Sequence, residues 1–384
     1  MQKDDAMPDS GKKIESRILV WDLPTRIFHW LFVISFTTAW IVSENDRFLY
    51  EHVFAGYVFF GLLIFRLIWG WVGSHYALFR SFAYDWPSVT SYLKGLLSGS
   101  AQRHIGHNPA GGWAIFALLI LAVLVSVTGL LTFGGEEGHG PLAGFVSYDV
   151  GNAMKEGHEI FASLMLFLVF IHVSGVIVES FFHRENLVRA MITGFKSSTD
   201  EPVKIGVYAL VGIMMFFTVL GSAALYFRGY VTQTDAEPFI PFTSPPLPTN
   251  TSWETECGEC HLAFHPTLLP ARSWKLMMEQ QHKHFDEDLD YDEETVAEIL
   301  HFLITNASES GLTEAAHKID KSVSKSNAPL RITETRYWKK KHEEIEDRYW
   351  KAKEVKSKTN CAACHLDAKT GWFEDSNMRL PKLK

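Results

Sequence analysis

Two five-residue runs carry the most specific chemistry in the sequence. Cys257-Gly-Glu-Cys260-His261 and Cys361-Ala-Ala-Cys364-His365 hold all four cysteines of the chain. In a Cys-x-x-Cys-His run the two thiols are spaced to form thioether bonds to the two vinyl groups of a haem, and the adjacent imidazole reaches the iron from the same side. A disulfide pair, a redox Cys-x-x-Cys or a four-cysteine zinc site would use the thiols but leave the repeated histidine without a purpose. Each run is therefore read as the attachment site of one covalent haem c, with Cys257, Cys260, Cys361 and Cys364 as the anchors and His261 and His365 as axial ligands.

An electron-transfer haem takes a second axial ligand, His or Met, and the choice shifts its potential. His284 follows a helical stretch between the two runs, and His342 lies in the basic segment before the second run. His265, His282, His301, His317 and the pair Met277 and Met278 are rivals, and the residues by themselves leave the choice open.

The elements that must position these groups differ sharply between the two halves of the chain. Over 384 residues the hydrophobic content is 47%, and the mean hydropathy of +0.01 averages an apolar first half with a polar second half. Five apolar segments, 26–43, 53–72, 112–133, 158–180 and 204–227, approach the roughly 20 helical residues that a hydrocarbon core requires. Five in succession, with Trp and Tyr near several ends, predict a membrane bundle. From Arg228 the sequence turns polar. Pro238, Pro241, Pro245, Pro246 and Pro248 mark residues 228–252 as either a semi-rigid extended tether or an ordered loop packed on the soluble part.

Orientation follows from Lys and Arg in the connections, which concentrate on the cytoplasmic side. Lys3, Lys12, Lys13 and Arg17, then Arg80, Lys94 and Arg103, then Arg184, Arg189 and Lys196 stand against Arg47 and Lys155 alone. Ten against two puts the N-terminus in the cytoplasm, and five crossings deliver the C-terminal half to the periplasm. No cleavable signal peptide is evident, so the first apolar segment is expected to act as the insertion signal. Because c-type haem is attached outside the cytoplasm, this topology and the cysteine motifs agree.

Ionisable residues inside membrane segments are costly and are functional suspects. His29 lies near the start of the first segment, His52 at the start of the second, and His158 and His172 on the fourth. The last two are 14 residues apart. That is about 21 Å and almost four whole turns, so both imidazoles face one way. Alternating helix direction puts His29 and His172 at the cytoplasmic depth and His52 and His158 at the periplasmic depth. Two such pairs can hold two non-covalent b haems in the core of a helical bundle. Arg66, 14 residues after His52, falls near the inner pair. It is a candidate for a haem propionate or a quinone oxygen, or for snorkelling to the interface. His75, His104, His107, His139 and His183 fall in or beside loops and are assigned no role.

Two resemblances rest on these residues. The stretches VWDLPTRIFHW at 20–30, HVFAGYVFFGLLIFRLIWGWVG at 52–73 and GHEIFASLMLFLVFIHVSGVIVES at 157–180 resemble the bacterial cytochrome b561 group, in the branch that includes the b-type subunits of nickel-iron hydrogenases. The family's ligand positions fall on His29, His52, His158 and His172. From Trp253 to Pro381 the chain resembles the bacterial dihaem cytochromes c, through CGECH, LLPARSW at 268–274, HF at 284–285, WKKKHEEI at 338–345 and SKTNCAACH at 357–365. That resemblance implies bis-histidine ligation with His284 and His342 as distal ligands, without saying which serves which haem. Residues 306–330 carry no distinctive signal and read as loop.

The expected protein is mostly α. A cytoplasmic segment (1–25) precedes a four-helix haem-binding membrane domain (26–200) and a fifth membrane helix (201–227). A proline-rich periplasmic linker (228–252) then leads to a small α-rich dihaem domain (253–384). It is an integral protein of the bacterial inner membrane, with two haem b, two haem c and quinol as mobile substrate, and no nucleic-acid partner. Electrons are expected to pass from the membrane quinone pool to a soluble periplasmic haem protein or cytochrome, which would make the chain a quinol:cytochrome c-type oxidoreductase. The alternatives are reverse flow from a periplasmic donor to quinone, as in hydrogenase systems, and a haem-based redox sensor.

Overall fold

A computed structural model describes residues 16–198, 205–234, 239, 241–242 and 244–381. Lys3, Lys12, Lys13 and Pro238, used in the sequence reading, lie outside the described residues. Five helices among the described residues are long and apolar enough to cross a membrane: α1 (Leu23–Val42), α2 (Leu49–Val72), α4 (Pro109–Gly135), α5 (Tyr148–Phe182) and α7 (Ala209–Thr232). Their outer faces carry exposed Ile34, Ile68, Ile120, Phe167, Phe170, Leu210 and Phe217. So large an exposed apolar surface is what lipid-facing helices present and what a water-soluble protein avoids.

Local sequence sets the helix starts. Asp22 Oδ1 accepts the Thr25 amide at 2.7 Å and opens α1, with Pro24 in its first turn. Asn108 Oδ1 accepts the Gly111 amide at 2.7 Å ahead of Pro109, which opens α4. Both arrangements satisfy amides that a helix start leaves without intrahelical partners. Two helices unforeseen in the sequence, α3 (Trp86–Leu97) and α6 (Leu187–Thr193), lie in the connections. So does a two-stranded antiparallel sheet of β1 (Ser16–Leu19) and β2 (Phe195–Ser198), in register from Ser16 opposite Ser198 to Leu19 opposite Phe195.

All five expected segments shift at one end or both, and two of the shifts have a clear cause. α5 begins ten residues before the expected 158, because Tyr148–Gly157 mixes apolar and polar residues and reads as loop to a hydropathy window. α7 runs to Thr232, past the expected end at 227, since one Arg at 228 neither breaks a helix nor removes a backbone donor. The soluble part then contains α8 (Thr251–Glu256), α9 (Ala271–Glu279), α10 (Glu293–Thr305), α11 (Glu314–Ser322), α12 (Arg336–Lys341) and α13 (Asp347–Trp350). α11 occupies the stretch expected to be loop. The proline-rich connection is an ordered, packed loop in its described part: Pro248 O lies 3.3 Å from His265 Nε2, and Phe242 packs on Tyr50 and Phe133.

The chain divides into two compact units. The first takes the described residues up to Thr38, Ala55–Ser126 and Ile160–Ala223; the second takes Ala39–Phe54, Val127–Glu159 and the described residues from Ala224 onward. Phe59, Leu63, Leu119, Ala122, Val125 and Met165 form a core of the first unit. Trp253, Leu269, Trp274, Met278, Ile299, Phe302 and Leu303 form a core of the second. His29 and His172 belong to the first unit; His52, His158 and both cysteine motifs belong to the second.

Candidate functional site

In the second unit, α2 and α5 bring His52 and His158 together, with ring centres 5.9 Å apart and planes at 82°. His52 Nδ1 donates to the Ala39 carbonyl at 2.9 Å, which leaves Nε2 as the free nitrogen. A backbone acceptor of this kind is the usual partner of a metal-binding histidine. On α4, a Cβ at Gly129 would stand 3.0 Å from His158 Cε1, so the glycine leaves the space that the imidazole ring uses.

The soluble residues form two further pairs. His261 faces His284 with ring centres 6.3 Å apart, and His342 faces His365 at 6.1 Å. Each motif histidine thus has one of the two candidate distal histidines beside it. Two imidazoles sharing one metal ion need ring centres about 6 Å apart, since each nitrogen sits about 2 Å from the metal and about 1 Å ahead of its ring centre. All three pairs meet that requirement, so the residues fit a haem iron ligated on both faces.

The surroundings support cofactor attachment over thiol chemistry. Cys361, Cys364, Trp338, Trp350, Phe373 and Met378 line a cleft with His342 and His365. Burial pushes the Cys257 and Cys361 thiols up to about 11, with Glu256 adding to the effect at Cys257. A thiol so placed is not the activated thiolate of a redox Cys-x-x-Cys site. Burial likewise pushes His365 down to about 4, which keeps the imidazole in the neutral form that binds metal.

The rival ligands other than His301 are otherwise engaged. His265 is buried, with Nδ1 2.9 Å from Thr267 Oγ1 and Nε2 directed at Pro248 O. His282 pairs with Asp288 at 2.8 Å. His317 stacks on Tyr148 at 4.3 Å, and His301 is exposed on α10. Met278 is part of the hydrophobic core, and Met277 packs against it.

In the first unit, His172 lies close enough to His29 to act on it electrostatically, and His29 Nδ1 is buried with no hydrogen-bond partner. Arg66 is buried, its guanidinium 4.8 Å from the Phe79 ring and 5.9 Å from the Phe82 ring, with Nη1 unpartnered. Snorkelling to the interface does not describe so enclosed a side chain. His107, assigned no role from sequence, packs on Trp21 at 4.7 Å and Phe82 at 4.5 Å, and its buried Nδ1 also lacks a partner. Burial, reinforced by Arg66, Lys196, His172 and His29, pushes it down to about 3. Two buried donors beside an imidazole pair call for an acceptor, because an unsatisfied buried polar group is expensive. The carboxylates of a b-type haem would supply one.

His139, also passed over in the sequence, is buried in the second unit. Nδ1 donates to Glu137 O at 2.6 Å and lies 3.8 Å from Glu374 Oε1, while the ring meets Tyr50 at 6.3 Å, Phe133 at 5.8 Å and Trp372 at 4.7 Å. Flanking Gly138 and Gly140 both have positive φ. A glycine on each side of a histidine was the available signal, since it marks a backbone bent for a purpose.

Comparison with known proteins assigns different families to the N-terminal and C-terminal parts of the chain. The family profile described as prokaryotic cytochrome b561 matches residues 20–194, and the one described as dihaem cytochrome c matches residues 253–373. The chain is similar to the probable Ni/Fe-hydrogenase B-type cytochrome subunit of Cupriavidus necator, 26% identical over 229 residues that cover 51% of this chain and 93% of that protein. It is also similar to the corresponding subunit of Azotobacter vinelandii, at 25% identity, with 50% and 95% covered. Among solved structures, the dihaem cytochrome c of Rhodobacter sphaeroides is 36% identical, with 34% of this chain and all of that chain covered and a TM-score of 0.30. That of Shewanella baltica is 27% identical, with 36% and 97% covered and a TM-score of 0.29. Residues 20–194 thus match the prokaryotic cytochrome b561 family and residues 253–373 the dihaem cytochrome c family, and the chain is a haem-bearing membrane electron-transfer protein.

Proposed function

We propose that this protein oxidises quinol in the bilayer and delivers the electrons to a soluble haem protein in the periplasm. His29 with His172 and His52 with His158 hold two b haems. Cys257, Cys260 and His261 with His284, and Cys361, Cys364 and His365 with His342, hold two c haems. A haem ligated by two imidazoles exchanges one electron and offers no open position for a substrate. Arg66 and His107 bind the carboxylates of the inner b haem through their unpartnered nitrogens. The N-terminus is cytoplasmic and the dihaem part periplasmic, a reading supported by the Lys and Arg distribution.

The observation that carries this reading is the recurrence of one spacing, 5.9, 6.3 and 6.1 Å, in three imidazole pairs drawn from different elements. An alkaline pyridine haemochrome spectrum of the purified protein tests it, with two b and two c haems per chain expected. Two c haems without b would reduce the bundle to an anchor. Rapid reduction of all four by a short-chain quinol, with turnover to an added periplasmic acceptor, tests the direction. Similarity to hydrogenase B-type subunits favours the reverse reading, flow from a periplasmic donor to quinone. Reduction by such a donor with quinone as the final acceptor would establish it instead.

A further inference from the structure

The soluble half holds two attachment sites, and nothing in their shared motif says which one exchanges electrons with the bundle. We propose that the second site, Cys361 to His365, is where electrons cross, over a contact between His139 and Trp372, and that the first site is where they leave. This rests on the haem assignments proposed above.

The argument is one of adjacency within the second unit. Tyr50 lies two residues before His52 on the helix that carries it, and its ring packs on His139. His139 in turn meets Trp372 edge to face at 4.7 Å. The next residue, Phe373, lies 5.3 Å from the His365 ring and lines the cleft of the second site. Three ring contacts, Tyr50 on His139, His139 on Trp372 and Phe373 on His365, thus lead from beside the outer b-type pair to the second attachment site, with Trp372 and Phe373 joined as neighbours in the chain.

The contact is built rather than incidental. A Cβ at Gly138 would stand 3.1 Å from the Trp372 ring, and the residue has φ of +67°, so both space and backbone require glycine there. The segments on either side of the rings also meet, since residues 46–48 before α2 pack on residues 375–377. At the first site, by contrast, Cys260 and His261 are exposed. That site is open to a soluble partner, whereas the second is backed by the bundle's outer end. The step is a single-electron exchange: one iron is oxidised and the other reduced, with no bond formed and no proton moved.

The test uses the full-length holoprotein with two variants that each lose one attachment site, Cys257→Ala with Cys260→Ala and Cys361→Ala with Cys364→Ala. After mixing with a short-chain quinol, rapid-freeze EPR follows each remaining c haem. Without the first site, the second haem is expected to be reduced while an added soluble cytochrome stays oxidised. Without the second site, the first haem is expected to stay oxidised. Reduction of the first haem at the wild-type rate in the absence of the second overturns the order.

A second measurement covers variants that fail to fold. Amide hydrogen exchange over 136–140 and 372–377 is expected to be slow in the holoprotein and faster in Trp372→Ala, with haem content and exchange around His261 unchanged. Equal exchange in the two proteins overturns the contact. A protein without b haem would defeat the broader proposal. Four haems with the first c haem reduced ahead of the second would defeat only the order.

Discussion

The two attachment sites share one motif and differ in nearly everything around it. At the first, Cys257 packs against a hydrophobic core that includes Trp253 and Trp274, His261 is exposed, and most neighbouring charges are acidic, Glu254, Glu256, Glu259, Asp286, Glu287 and Asp288 against Lys283 and Arg331. At the second, the distal His342 stacks on Trp338 at 4.3 Å within a cleft, and Lys339, Lys340 and Lys341 precede it. The motif fixes where a haem is attached; its surroundings decide what the haem can meet. The proposed membrane pairs extend the contrast, because no cysteine stands beside them to anchor a haem covalently.

That difference predicts the largest effect. His158→Ala should remove one b haem outright and leave both c haems attached, read from the pyridine haemochrome ratio; unchanged b content would exclude His158 as a ligand. The distal histidines should behave otherwise. His284→Ala and His342→Ala each keep two c haems per chain but convert one from low to high spin, visible by EPR and by new carbon monoxide binding. A low-spin spectrum in either variant would mean that another side chain serves as the distal ligand.

Smaller effects probe the surroundings. Arg66→Leu should lower the reduction potential of one b haem, because removing a buried positive charge disfavours the added electron, and His107→Phe should do so less. Potentials identical to wild type would exclude the carboxylate contact. Near His139, the Glu137 carboxyl is pushed up to about 7, by burial first and then by Glu136 and Asp375, against the opposing pull of Lys155 and Lys318. A carboxyl raised in the fold stabilises it fully below the unfolded value and loses that contribution as pH rises through the folded value. Thermal stability of the holoprotein should therefore fall between about pH 4.5 and about pH 7, and Glu137→Gln should flatten that fall in calorimetry. The smallest change is Thr335→Ala. Thr335 Oγ1 accepts the Trp338 amide at 3.3 Å and caps α12, which precedes His342, so its loss should cost about 1 kcal/mol. Hydrogen exchange should then rise around His342 and not around His284.

How much was legible in the sequence follows from how local each signal is. The cysteine motifs are five residues long and need no fold to be read. His52 and His158 became legible together because the second and fourth apolar segments run in the same direction, both histidines stand at their starts, and depth is countable along a helix. The partner of His261 was not legible, since His284 reaches it from an irregular segment after α9 in which Phe285 and Asp286 take positive φ. His107 and His139 were missed for the same reason: in a loop, a sequence position says nothing about depth. The length of α5 escaped because its first ten residues are amphipathic, and hydropathy averages such a stretch away.

The contact at Trp372 also constrains how the protein is made. Thioether formation needs both thiols of the second motif accessible, and Trp372 follows Cys364 by only eight residues. Once that segment is seated on His139, the motif beside it is no longer free to move. Haem attachment is therefore expected to precede docking, and a chain whose segment seats on His139 first should be left with an empty second motif, a ready target for quality-control proteases.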